Sequence, residues 1–137
     1  MKLEERRYGP ESSPTEVEAI RSCVSMYADR VLLWHQVPLP TEFSVDVMAQ
    51  RVAELEADLD AYALLIDLTR AGRPSAGVRV RLRAAFRRDK LVHAAAFTER
   101  NVLLNAAAYF VLNGLGLRSH SVSRTREQAL AAIADAF

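Results

Sequence analysis

Ala61-Tyr62-Ala63-Leu64-Leu65-Ile66-Asp67-Leu68 is an apolar run that ends on a carboxylate, and the turn Thr69-Arg70-Ala71-Gly72-Arg73-Pro74 follows it directly. Ser75–Lys90 comes next, with Val78, Leu82, Ala85 and Phe86 at helical spacing and arginines between them. A short continuous apolar run bounded by turn residues fits a strand buried on both faces, as in parallel sheets. Parallel strands need a crossover connection, and the amphipathic segment supplies a helix for it. The stretch therefore reads as a buried strand, a loop and a crossover helix.

The same unit recurs downstream. Leu91–Phe97 is a second apolar strand and Thr98-Glu99-Arg100-Asn101 its turn. Leu104, Ala107, Ala108, Val111 and Leu115 align as a third helix, with Gly114 and Gly116 at its end. Leu117–Ser123 is a more polar strand, expected near a sheet edge. Thr125 with Gln128 has the capping-box pattern of a final helix, which Leu130, Ile133 and Phe137 are expected to pin down.

Upstream, Arg30–Val37 reads as a strand stopped by Pro38 and Pro40. Thr41 or Ser44 then caps a helix with the stripe Val45, Met48, Val52, Leu55 and Leu59. Pro14–Ala28 carries two patterns. Ser13-Pro14-Thr15-Glu16 resembles a capping box with proline at the first helical position, ahead of Val17, Ile20, Val24 and Tyr27 at helical spacing. Cys23, Val24, Met26 and Tyr27 also interleave with Ser22 and Ser25 as in a half-buried strand. The strand is the preferred reading, with Ala28-Asp29 a tight turn into the next strand. The expectation is an α/β fold: residues 1–13 as an irregular lead-in, then one domain over 14–137 with a mixed sheet, a parallel core and about four helices.

Composition narrows the function classes. The chain has 137 residues, half of them hydrophobic, and a net charge of +1, which argues against nucleic-acid binding by bulk charge. The single cysteine, Cys23, rules out a disulfide framework within one chain and fits a reducing compartment. The N-terminus has no signal-peptide pattern and no apolar stretch is long enough to span a bilayer, so a cytoplasmic protein without membrane contact is expected. Charge is nevertheless uneven. Residues 73–90 hold seven Arg and Lys and one Asp, a local charge of +6, which leaves −5 on the remainder.

The order strand, strand, helix, then three strand–helix units resembles the STAS superfamily, the domains of anti-sigma-factor antagonists and sulphate transporters. The resemblance rests on Leu64-Leu65-Ile66-Asp67-Leu68, on the apolar strand before Thr98-Glu99-Arg100-Asn101, and on Thr125-Arg126-Glu127-Gln128-Ala129-Leu130. It implies a STAS-like regulatory domain of the antagonist-like branch that docks a protein partner, a kinase-like anti-sigma factor among the candidates. The family's phosphorylated segment, D-S-[ST]-G-[LIV], matches Pro74-Ser75-Ala76-Gly77-Val78. Gly77, Val78 and Ser75 fit. Pro74 replaces the aspartate, and Ala76 occupies the phosphoacceptor position. That leaves Ser75 as the possible phosphosite, although its ordinary role is to cap the helix.

Ligands of such sheets sit outside the carboxyl ends of the strands. The partner- or anion-binding candidates there are Asp67, Thr69, Arg70, Arg73, Ser75 and Gly77, extended along the helix by Arg79 and Arg83. Arginines beside a helix N-terminus suit a phosphate or carboxylate. A solvated turn accounts for the same residues, and a strand-end aspartate commonly caps a turn. The leading expectation is a non-enzymatic docking domain that uses this loop and the basic helix. The alternative is a small-anion or ligand-binding domain, or an enzyme, in the strand-end crevice. No catalytic constellation and no cofactor is read from the sequence. His35, His93 and His120 lie on three separate strands without local metal-site spacing, so no metal is expected. The helix at 45–60 is acidic on its other face, with Asp46, Glu54, Glu56, Asp58 and Asp60 against only Arg51, and together with the first strand region and an exposed Trp34 it offers a surface for a homodimer.

Overall fold

The computed structural model describes residues 3–99, 108 and 111–137. Pro14–Arg21 is a helix, α1, and overturns the preferred strand reading there. Local capping decides it: Ser13 accepts from Glu16 N while Glu16 accepts from Ser13 N, and Pro14 needs no donor at the first position. Only Val24–Ala28 is a strand, β1. It turns through Arg30, at φ 59, into β2, Val31–His35. The helix α2, Glu42–Glu56, is capped by Thr41 with Ser44 in reciprocal bonds. It stops short of Leu59, so the expected stripe is buried at Val45, Met48 and Val52.

Tyr62–Asp67 forms β3, with all six residues buried. Ala76–Phe86 forms α3, capped by Ser75 and ending before Arg87 instead of running on to Lys90. Its buried residues are Val78, Leu82, Ala85 and Phe86, as the periodicity predicts. Leu91–Phe97 is β4, and His120–Ser123 is β5, half-buried at the sheet edge. Residues 111–114 are helical, and Arg126–Ala136 is the C-terminal helix, capped by Thr125 and Gln128.

The sheet order is β1-β2-β3-β4-β5. β1 runs antiparallel to β2, and β2 through β5 are parallel. The mixed α/β fold expected from the sequence is therefore present. Because the strands follow chain order, crossovers of one hand fall on one face. Leu32, Trp34, Leu64 and Ile66 meet α1, α2, α3, Leu112 and Leu115 there. The opposite face, Val31, Ala63, Leu65, Ala95 and Phe97, packs on Ala129 and Ile133 of the C-terminal helix.

Two expectations about aromatic residues fail. Trp34 is fully buried, because strand alternation sends it into the core beside Leu32, so it offers no dimer surface. Phe137 is largely exposed and lies against the Arg30 guanidinium, 4.5 Å from the ring centroid, instead of pinning the last helix. The lead-in is irregular but anchored: Tyr8 is buried, and Thr41 donates to its carbonyl at 2.6 Å.

Candidate functional site

Strand alternation divides the expected strand-end crevice between two faces of the sheet. Asp67 follows Ala63 and Leu65 onto the side of the C-terminal helix. The β2–β3 register sets it opposite His35. His35 Nδ1 lies 3.0 Å from Asp67 Oδ2, while Oδ1 accepts from the backbone N–H and the hydroxyl of Thr69 at 2.9 and 2.7 Å. Burial opposes the charge on Asp67, but the bonds from His35 and Thr69 outweigh it and hold the carboxyl at about 2. Asp67 is thus an ionised turn cap and not a proton donor at neutral pH. Its bond to Nδ1 leaves His35 Nε2 as the available ring nitrogen.

Ile66 and Leu68 point to the other face. They line a cavity of about 320 Å³ closed on its far side by Leu82, Phe86, Leu112 and Leu115. Ala71–Pro74 also lines it. Gly72 N donates to Pro38 O at 2.9 Å, and a Cβ at Gly72 would stand 2.6 Å from that oxygen. Glycine is required for this close approach. Among the described residues the lining is apolar apart from Arg73 and Arg79 and the Gln36 side chain.

Gln36 is only 5% exposed. Its side-chain oxygen accepts the Trp34 indole N–H at 2.8 Å. An indole N–H only donates, so the amide oxygen must face it and the nitrogen must face away. That nitrogen, Nε2, is buried without a hydrogen-bond partner among the described residues.

The basic helix also has two sides. Arg81 pairs with Asp46 and Glu42 of α2 at 3.4 and 3.9 Å, and Arg88 pairs with Glu56. The acidic helix therefore neutralises the inner flank within the same chain. Arg73, Arg79, Arg83 and Arg87 have no carboxylate partner among the described residues. Arg79 donates to Pro74 O at 3.3 Å and Arg83 to Gly114 O at 2.7 Å, so both brace neighbouring backbone. Val80 stands 63% exposed one turn from Arg83 and Ala84.

The other sequence candidates are placed as follows. Arg70 pairs with Glu5 at 2.9 Å on the surface. Ser75 is exposed, and its hydroxyl accepts from Val78 N at 3.2 Å. Gly77 lies against the Glu42 carboxylate, 2.7 Å from where a Cβ would sit. His93 is buried between the hydroxyls of Ser119 and Ser121, at 2.7 and 2.9 Å, and burial pushes its ring below the ordinary value. His120 meets Asn113. Among the described residues no cluster of His, Cys, Asp and Glu could hold a metal ion. Cys23 is half-buried and burial raises its thiol. Arg100 and Asn101, and with them part of the expected third helix, lie outside the described residues.

Sequence reasoning missed Gln36, the His35–Asp67 pair and Val80. The first needed the cavity and the second the strand register. Val80 was visible as an apolar residue off the buried stripe.

Comparison of the chain with protein-family models, with curated proteins and with solved structures finds no match. No helix among the described residues is long and apolar enough to cross a membrane.

Proposed function

We propose that the chain is a STAS-like regulatory domain that docks an acidic protein partner through the loop after β3 and the outer side of α3. The carrying observation is the split of the basic helix. Arg81 and Arg88 are spent on α2, whereas Arg83 and Arg87, on the side of the exposed Val80, have no carboxylate partner among the described residues. An apolar centre with a basic rim suits a protein surface carrying Asp and Glu, and charge complementarity there steers association and fixes register. The Leu64–Leu68 strand and the Ser75–Val78 segment support the family reading. Ser75 is the exposed hydroxyl of this edge on which a phosphate would meet the α3 N-terminus. A kinase-like anti-sigma factor is one partner of the required kind.

The test is affinity capture from the native lysate by wild-type protein, by Arg87→Glu and by Arg126→Glu. The two variants change net charge equally, both residues are exposed, and Arg126 lies on the C-terminal helix over the Phe97 ring, on the opposite face of the sheet. Docking through α3 requires that Arg87→Glu loses a captured protein that Arg126→Glu retains. Equal loss from both, or from neither, would refute it.

A further inference from the structure

From the cavity under the loop we infer a second site, which binds a small amphipathic carboxylate, an aliphatic or aryl acid. Three observations converge on it. The space, about 320 Å³, lies within the range of small-molecule pockets, and its lining is mostly apolar, so it takes an apolar body. Arg73 and Arg79 contribute the only charged side chains to the lining among the described residues, and neither is paired with a carboxylate. Guanidinium groups beside an apolar space select an anionic head, and a planar carboxylate fits their donor fork.

The third observation is Gln36. Its oxygen is committed to Trp34, and its nitrogen is buried and has no partner among the described residues. A buried amide donor left unmade is rare in folded chains. A ligand oxygen seated beside it, with a small turn of the Gln36 side chain, supplies the missing acceptor. The site thus combines an apolar wall, two arginines and one unsatisfied amide donor. It is distinct from the docking side of α3, because neither Val80 nor Arg87 lines it. Loss of one reading leaves the other standing.

The chain carries its own reporter. Trp34 is the only tryptophan, hydrogen-bonded to Gln36 and edge-to-face with the cavity residue Phe86 at 4.9 Å between ring centroids. The experiment titrates purified full-length protein with decanoate, 4-phenylbutyrate and 1-decanol below their aggregation thresholds. Trp34 fluorescence and calorimetry follow the binding. Saturable one-to-one binding of at least one acid is expected, about tenfold or more tighter than decanol. Ala71→Leu and Ala108→Leu fill the cavity from two sides, and each should weaken binding by at least about tenfold. Arg73→Gln with Arg79→Gln should remove the preference for acid over alcohol. Circular dichroism identifies any filling variant that fails to fold, and the arginine variant then decides. No saturable binding of either acid, acid binding unchanged in a folded cavity-filling variant, or equal affinity for decanol and decanoate would overturn the site.

Discussion

Trp34 donates its indole N–H to the side chain of Gln36, two residues further along the chain, at 2.8 Å. The i, i+2 spacing puts both on the face of the sheet that α2 and α3 cover. The pair fixes the amide orientation and leaves its nitrogen unsatisfied. Trp34→Phe should therefore cost about 2–4 kcal/mol, combining lost volume with a second orphaned amide atom. Adding Gln36→Leu should recover about 1 kcal/mol, because no buried polar atom is then left behind. Urea denaturation of the two variants measures the difference. A double variant less stable than Trp34→Phe would contradict the pairing.

Asp67 gives the fold an acid-sensitive latch. Its folded carboxyl sits at about 2, below the ordinary 3.8, so the unfolded chain takes up the proton more readily. The stabilisation, on the order of 2 kcal/mol, is complete above the ordinary value and is lost as pH falls towards about 2. Asp67→Asn should be less stable than wild type at neutral pH, and the gap should close between pH 4 and 2. Thermal melts across that range show whether the two curves converge.

Gly72→Ala should destabilise by about 1–3 kcal/mol. The added Cβ would meet Pro38 O at 2.6 Å and push the loop off its hydrogen bond. The glycine is needed for space and not for a left-handed backbone, since Gly116 is the only glycine at positive φ among the described residues. A melting temperature equal to wild type would show that the loop is not clamped to Pro38.

Ser75→Ala should cost about 1 kcal/mol through the lost cap on α3. Ser75→Asp should cost less, because aspartate also caps a helix N-terminus and suits its dipole. If both changes leave the melting temperature unchanged, the hydroxyl has no structural role and its exposure is its main property.

The fold was legible where periodicity and capping agree. Leu91–Phe97, the Val78–Leu82–Phe86 stripe and the Thr125–Gln128 box appear as read. Pro14–Arg21 was misread because the strand-like interleaving around Cys23 extends only over the second half of the segment, while the capping box governs the first. The site was legible in position but not in arrangement. Asp67 and Ile66 are neighbours in sequence, yet alternation puts them on opposite faces, one in a turn cap and one in a cavity wall. Which arginines stay unpaired depends on how α2 meets α3, and no local pattern encodes that.

Retention of the captured partner across a salt series tests the docking claim most directly. The comparison sets wild type against Val80→Ser with Arg87→Gln, two surface changes that should leave stability within about 0.5 kcal/mol. The variant is expected to retain much less partner than wild type at low ionic strength. Most of the wild-type advantage should fade as salt approaches about 1 M, where the Debye length is about 3 Å. A folded variant that holds the same proteins as strongly as wild type at every salt concentration would contradict it.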